Sequence, residues 1–492
     1  MNSKCISILM GKVLPWMSRA IMKVPAMNGT EPVFENGRVK KVYANHQQIV
    51  EMFLSSLQEF VNSGHEAKLL ETPVFAAYGS SRIGSDQPWY QTAYDINKAI
   101  AEKFGWSFIG GAGPGMMEAT SKAAHDAGVP SYGVKIYMPG EQALNEYVDK
   151  DKVILCKELI SRKYLLRKYA NLVMVYPGGF GTMDEIFDIL AKKDRDIGDH
   201  APIVFIGTKL WDELETIVKK YRAKGFFRKS LEELMVVLDA KPETVVGHIE
   251  ENMDKYLNVP TRKPIDIDLH ATSLIKNLEQ MKQITSADMV TVIGGSNFKI
   301  PVEVHDRAAA IELGAFLTES GISMIARSNQ KKMPFLQLGY LNALRKGAED
   351  VQHALFYNTE DGTEQSLYGG ISSSNVSLDS RKLLHEKMVA CNNSNCGFIF
   401  FPGGMSTHDV FFEAAVMMRI GLMKKVPIIL FGDEDKWSDE LEFLSTNFAD
   451  LYGTIDAKDM DLFYRTSNMS EVKSILAQQK VKNIAERELT NS

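Results

Sequence analysis

An α/β architecture with two tandem doubly wound domains, each on a parallel sheet, is the fold class this sequence predicts. Three observations carry it. From Thr72 onward, short apolar runs such as Val153-Ile154-Leu155 and Ile203-Val204-Phe205-Ile206 alternate with helical patterns such as Tyr94–Phe104 and Trp211–Lys224. Such alternation describes a parallel sheet covered by helices on both faces. Glycine-rich loops follow several of the strands, at the carboxyl ends where open α/β sheets take their ligands. The order of these features then recurs in the second half of the chain. Each half therefore reads as a Rossmann-like domain.

Length sets the domain count. At 492 residues the chain exceeds the size at which a single hydrophobic core keeps growing. The expected division is an N-terminal extension with a helix over 1–70, a first domain over 71–257, a linker with a connecting helix over 258–288, and a second domain over 289–492. Met1–Met27 reads as a loosely ordered extension. Lys12, Arg19 and Lys23 interrupt the apolar centre that a signal peptide needs. Pro260 and Pro264 mark the start of the linker, and Leu274, Ile275, Leu278 and Met281 have helical spacing within it.

Within the first domain the strand Val74-Phe75-Ala76-Ala77 leads into Tyr78-Gly79-Ser80-Ser81-Arg82. A second glycine-rich loop reads Gly110-Gly111-Ala112-Gly113-Pro114-Gly115-Met116-Met117-Glu118. The third is the most informative. Tyr176-Pro177-Gly178-Gly179-Phe180-Gly181-Thr182-Met183-Asp184-Glu185 follows the strand Leu172–Val175 and opens a helix read over Met183–Leu190. Glycines let the backbone approach a ligand, and the N–H groups at a helix start attract an anion. Thr182 adds a hydroxyl, and Glu185 sits in the expected first turn. A phosphate cradle beside a carboxylate suggests chemistry on a phosphorylated small molecule. The plain alternative is a turn that only allows close packing.

The second half repeats the series. Gly294 answers Gly79, Arg381 answers Arg162, Pro402-Gly403-Gly404 answers Pro177-Gly178-Gly179, and Trp437 answers Trp211, at offsets of 215, 219, 225 and 226 residues. Ordered matches with so little drift indicate a duplicated domain. The second copy departs where chemistry would need it. Ser406 stands for Gly181 and Val410 for Glu185, and Arg327–Met333 replaces the second loop without a glycine. Asp409 and Glu413 lie near Val410 and could in principle substitute, but a catalytically dead copy is expected.

The stretch Ser161-Arg162-Lys163 through Glu185 resembles the Arg-Lys and PGGxGTxxE signature of the LOG (Lonely Guy) phosphoribohydrolases, a family long mislabelled as lysine decarboxylases. The two upstream loops match the family's other glycine-rich loops, and Met138-Pro139-Gly140-Glu141-Gln142 fits its longer bacterial branch. The likeness covers about residues 72–250. It implies hydrolysis of the N-glycosidic bond of a nucleoside 5′-monophosphate, AMP-like or a cytokinin riboside monophosphate, to free base and ribose 5-phosphate. It also implies a dimer formed through helices near the Pro-Gly-Gly loop, which a duplicated chain could satisfy internally as a pseudo-dimer. A homo-oligomer is the other form.

Under that resemblance Glu185 and Arg162 are the catalytic pair. Breaking the C1′–N bond builds positive charge on the sugar, which a carboxylate stabilises, and a carboxylate can take a proton from the attacking water. Arg162 would orient Glu185 or hold the substrate; among Lys163, Arg167 and Lys168 it also reads as a solvated helix arginine. Gly178, Gly179, Gly181 and Thr182 are assigned to the 5′-phosphate. Gly79, Ser80, Gly113, Gly115 and Lys163 complete the expected substrate contacts, with Ser81 and Arg82 beside them. Glu118 would accept ribose hydroxyls, or would simply favour its helix dipole. The residues that contact the base are not legible.

Composition narrows the partners. A formal charge of −6 offers no broad basic field for nucleic acid. The four cysteines have neither metal-ligand nor secretory spacing, and the ten histidines form no cluster, so no metal is expected and a reduced cytoplasmic setting is. No apolar run approaches a membrane span. No cofactor is expected: no stretch resembles a pyridoxal phosphate site, and Gly111–Gly115 lacks the GxGxxG spacing of a dehydrogenase. The competing class is a non-catalytic carrier or sensor of a nucleotide-like ligand, since molybdenum-cofactor carriers share the general fold.

Overall fold

The computed structural model describes residues 33–35, 38–40, 72–136, 144–156, 159–194, 201–223, 225–258, 288–294, 304–328, 354–358, 394–432 and 437–491. Met1–Met27, Met138–Gln142, most of the expected linker with its helical positions Leu274–Met281, Asn329–Met333 and Arg381-Lys382 lie outside them. A short antiparallel pair, β1 (Val33–Glu35) and β2 (Arg38–Lys40), comes first.

The first copy holds β3 (Val74–Tyr78), β4 (Ser107–Gly110), β5 (Ser131–Ile136), β6 (Val153–Cys156), β7 (Leu172–Val175), β8 (Ile203–Ile206) and β9 (Val236–Leu238). They form one parallel sheet in the order β6-β5-β4-β3-β7-β8-β9. Every residue of β3, β7 and β8 is buried, as central parallel strands covered on both faces require. The covering helices are α1 (Pro88–Phe104), α2 (Met116–Asp126), α3 (Leu159–Lys168), α4 (Phe180–Asp194), α5 (Thr208–Ala223) and α6 (Pro242–Glu251). Proline at the first turn opens α1, and Gly105 closes it in the left-handed conformation with φ +65°.

In the second copy β10 (Asp288–Ile293), β11 (Ile322–Ser328), β12 (Ala354–Asn358), β13 (Gly397–Phe400), β14 (Ile428–Phe431) and β15 (Phe463–Thr466) form a parallel sheet ordered β12-β11-β10-β13-β14-β15. That order matches β5-β4-β3-β7-β8-β9. Registers match too: Phe75 pairs with Leu172 as Val290 pairs with Gly397, and Val173 with Ile203 as Phe398 with Ile428. The helices are α7 (Val304–Glu319), α8 (Met405–Arg419), α9 (Ser438–Phe443) and α10 (Met469–Asn491). Even the tryptophan anchors agree. Trp211 Nε1 donates to the Ile206 carbonyl at 3.1 Å, and Trp437 Nε1 to the Phe431 carbonyl at 3.1 Å. Both are buried indoles whose N–H has a partner.

One hydrophobic cluster packs the outer face of each sheet, the first around Phe75, Phe108 and Tyr176 and the second around Val290, Leu313 and Val472. The third cluster belongs to both copies and joins Val173, Phe187 and Leu190 to Phe398, Phe412 and Trp437. At its centre α4 lies on α8. Phe187 stacks on Phe412, its own counterpart 225 residues on, with centroids 5.1 Å apart and rings 15° from parallel. Equivalent residues meeting each other mark a two-fold, isologous contact. The loops reciprocate: Thr454 and Ile455 lie against Gly179, and Phe226 and Phe227 lie against Gly404.

A buried charge cluster crosses the same contact. Lys163 Nζ lies 2.8 Å from Asp184 Oδ2 and also pairs with Glu413 of the second copy, all three largely buried. Beside it Asp188 pairs with Arg167 and Lys192. Glu413 is thus committed to the first copy, rather than standing in for a second catalytic carboxylate.

Two outcomes follow from this packing. Residues 1–257 expressed alone will be poorly soluble or will self-associate on size-exclusion chromatography, because Phe187 and Leu190 lose their cover. A stable, fully active monomer would refute the internal pairing. Glu413→Ala in the full chain should lower stability by about 3 kcal/mol, the low end for removing one partner of a buried pair, since Asp184 remains. A fall under about 0.5 kcal/mol in chemical denaturation would mean that the pair behaves as a solvated one.

Candidate active site

The chain reverses its direction of winding between β3 and β7, and ligands of open α/β sheets bind outside the strand ends at such a point. A cleft of about 380 Å³ opens there, within the usual range for a small-molecule site. The loops after β3, β4 and β7 form its floor, α3 supplies one wall, and α8 with Thr454 supplies another.

Glu185 faces this cleft from α4. It sits in the second turn, because α4 begins at Phe180 instead of Met183. Gly181 is therefore a first-turn helical residue, and a side chain added there would meet nothing within 4 Å. Glycine at this position leaves the helix-start N–H groups open toward the cleft.

Arg162 approaches from α3. Its Nη1 lies 3.9 Å from Glu185 Oε1, with both side chains largely buried. That separation is an ion pair too long for a hydrogen bond, so both groups keep directions in which to meet a ligand. Arg162 Nε donates to the Val134 carbonyl at 3.2 Å, which fixes the guanidinium against β5. Gly111 makes room for it, since a Cβ there would collide with the Arg162 guanidinium. The solvated-arginine alternative does not describe this side chain. Ala112 between the loop glycines holds a left-handed φ of +59°, an uncommon conformation for a residue with a side chain.

Burial pushes the Glu185 carboxyl above the usual carboxylate range, while Arg162 and then Lys163 pull it back. Tyr78, at the base of the cleft, has its phenol pushed up by burial and then by Glu185, so it stays protonated.

The other expected residues divide. Gly79, Ser80, Gly113, Gly179, Gly181 and Thr182 line the cleft, as do Ser81 and Arg82. Ser80 ties three loops together. Its N–H donates to the Pro177 carbonyl, its carbonyl accepts from Met116 N, and its Oγ accepts from Arg82 N. Gly115 stands behind this knot with φ +71°, where a side chain would strike the backbone of Ser80 and Ser81. It shapes the loop without lining the cleft.

Gly178 also lies off the cleft wall, and its carbonyl accepts from Thr454 Oγ1 at 2.6 Å. Lys163 reaches the cleft edge, but its ammonium serves Asp184 and Glu413. Glu118 is not among the residues lining the cleft and accepts from the Tyr90 hydroxyl at 2.9 Å, which favours its other reading as a first-turn helix glutamate.

Nothing in the motifs pointed to Val416, Arg419, Ile420 and Thr454, the second-copy residues that complete the cleft. The available signal was indirect: placing α8 on α4 about a two-fold axis carries the end of α8 over the Pro-Gly-Gly loop. The corresponding catalytic position in the second copy is filled by Val410, 1% exposed in the shared core. Among the described residues no group of histidines, cysteines and carboxylates could hold a metal ion, and no helix is long and apolar enough to cross a membrane.

The family model described as "Possible lysine decarboxylase" matches the chain twice, over residues 117–249 and 366–476. The cytokinin riboside 5′-monophosphate phosphoribohydrolase of Mycobacterium tuberculosis is 30% identical over 154 residues, 30% of this chain and 79% of that protein. The probable cytokinin riboside 5′-monophosphate phosphoribohydrolase LOG4 of Oryza sativa subsp. japonica is 25% identical over 199 residues, 40% of this chain and 80% of that protein. Among solved structures, the molybdenum cofactor binding protein from Rippkaea orientalis is 18% identical, covering 37% of this chain and 99% of that one. Its TM-score of 0.29 is too low to bear on function. Two matches in tandem, with a relative of this identity covered over most of its length, show that the chain belongs to the LOG family and carries two copies of its domain.

Proposed function

We propose that the first copy hydrolyses the N-glycosidic bond of a nucleoside 5′-monophosphate, releasing the free base and ribose 5-phosphate. The observation that carries this reading is the buried Glu185 carboxylate, 3.9 Å from Arg162, in a cleft beside the open start of α4. The relatives' activity on cytokinin riboside monophosphates supports the same reaction class.

As the C1′–N bond breaks, its electron pair leaves with the base, which is neutralised by the proton that water later yields through Glu185, and the sugar becomes cationic. Ionised Glu185 stabilises that cation through the poorly screened interior of the cleft. Water then forms the new C1′–O bond, and Glu185 is placed to take the proton that the water gives up. Arg162 keeps Glu185 ionised against the desolvation of its site and offers N–H donors to the sugar or phosphate. The N–H groups at the start of α4 and the Thr182 hydroxyl receive the 5′-phosphate.

Incubation with AMP, CMP, GMP and UMP, followed by chromatography for free base, tests the class and the base preference together. Binding without release of base would make the protein a carrier or sensor instead. Glu185→Gln should keep the fold and ligand binding while turnover falls ~10²–10³-fold, the usual effect of losing one transition-state electrostatic partner. Activity within a few-fold of the parent would remove Glu185 from the mechanism.

The pH profile offers an independent check. Glu185 acts as the anion, and burial holds its pKa above the ordinary 4.5. Turnover should therefore fall as pH drops through an apparent pKa above that value. Arg162→Ala removes the largest opposing charge, so the surviving activity should show this acid limb at still higher pH. A limb at or below 4.5 in the parent would contradict the assignment.

A further inference from the structure

α4 and α8 are equivalent helices of 15 residues each, and they end in opposite charges: Asp194 in the first copy and Arg419 in the second. Asp194 stays at home, where its Oδ1 accepts from the backbone N–H groups of Arg228 and Lys229 at 2.7 and 3.1 Å. Arg419 instead reaches the cleft of the other copy, whose wall it forms with Thr454. Its Nη1 would lie 3.5 Å from a Cβ placed on Gly179, so the guanidinium rests beside the Pro-Gly-Gly loop.

A built support holds it there. Arg419 Nη2 donates to the Thr454 carbonyl at 3.3 Å, and Nε lies 3.0 Å from Asp459 Oδ2. Asp459 in turn closes a capping box with Asp456, and Asp456 takes Arg82 of the first copy in a bidentate pair at 3.0 and 3.1 Å. One short loop of the second copy thus positions two arginines at the cleft, one from each copy. Burial first, and then the charge of Arg82, press on the Arg419 guanidinium, and the acids of this loop oppose them. An anion between the two guanidiniums would relieve that repulsion.

We propose that Arg419, supplied by the copy that lacks the catalytic carboxylate, binds the 5′-phosphate of the substrate together with the N–H groups of the Gly179–Thr182 turn. The assignment rests on the reading of the cleft as a nucleoside monophosphate site. It makes the second copy a contributor to recognition as well as a packing partner. The charge difference between Asp194 and Arg419 then has a reason: only one of the two clefts retains a carboxylate for chemistry and needs an anion held beside it.

The test uses the full chain, with ribose 5-phosphate as the probe and calorimetry as the readout, in a Glu185→Gln background. Arg419→Ala should weaken ribose 5-phosphate about 10- to 100-fold, the effect of losing a charge-assisted bond. Arg419→Gln keeps a donor for the Thr454 carbonyl and removes the charge, so it should show the same loss with the loop intact. Arg419→Lys should recover part of the affinity.

In the otherwise unaltered enzyme, KM for the nucleotide should rise with kcat little changed, as expected when uniform binding is lost. Affinity within about twofold of the parent in both the Ala and Gln variants overturns the assignment, and so does a parent that does not bind ribose 5-phosphate. Should no nucleotide be cleaved while both variants still lose affinity, the hydrolase reading falls and the role of Arg419 stands. Normal cleavage with unchanged affinity removes Arg419 alone.

Discussion

The packing of α4 on α8 is the constraint on which the rest of the structure depends. α4 carries three tasks on three faces of one helix. Met183, Phe187 and Leu190, spaced by four and three residues, enter the shared core with Phe412 and Trp437. Asp184 and Asp188, one turn apart, take Lys163 and Arg167 of α3. Glu185 lines the cleft, with Gly181 and Thr182 of the first turn beside it. A shift of α4 would therefore disturb the aromatic stack, the buried ion pairs and the carboxylate together. Interiors packed this closely do not deform by degrees, so the second copy helps to hold Glu185 in place through the helix that carries it.

Much of this was legible in the sequence, for reasons that particular residues make plain. The strands and the duplication showed because apolar runs and glycine loops are local signals, and the two copies kept even the tryptophan that bonds back to its own strand. The Arg162–Glu185 pair was legible only through the family signature; spacing by itself favoured a solvated surface arginine. Other positions turn on tertiary contacts that the sequence does not display. Glu118 sits at a helix start in sequence but is claimed by Tyr90. Lys163 belongs to the signature, yet its ammonium is consumed by Asp184 and Glu413. The start of α4 was placed three residues late because Gly181 reads as a loop residue, whereas the helix begins at the fully buried Phe180. Arg419 and Thr454 carried no local mark at all. They reach the cleft only because the two copies meet about a two-fold axis.

Duplication explains which residues the second copy kept and which it lost. In a symmetric dimer a residue that serves the interface and one that serves the site are under the same constraint in both subunits. Fusion separates them. Phe412, Glu413 and Trp437 serve the contact and retain their chemistry, whereas the positions of Gly181 and Glu185 now hold Ser406 and Val410. Val410 gains from the change, since a buried valine needs no partner and a buried carboxylate does. The asymmetry extends to charge at the helix ends, where Asp194 and Arg419 have gone separate ways. Two identical subunits could not have done this, because any residue improving one cleft would have altered the other.

The electrostatics of the first cleft follow from the same arrangement. Glu185 is buried, and burial opposes its negative charge. Arg162 offsets part of that opposition from 3.9 Å, close enough to favour the ionised form and too far to form the hydrogen bond that would hold the carboxylate in one direction. Under the proposed reaction this balance is useful. A carboxylate clamped by two hydrogen bonds would have little charge left to offer a developing sugar cation, and one left alone in the interior would take up a proton. The intermediate separation lets the positive charge forming on the sugar become the strongest new interaction Glu185 can make. Stabilisation then rises as the C1′–N bond lengthens, which is the condition for lowering a barrier instead of merely tightening substrate binding. The cover provided by α8 and Thr454 keeps the surroundings poorly screened while that happens, so the packing of two copies and the strength of one carboxylate have a single physical origin.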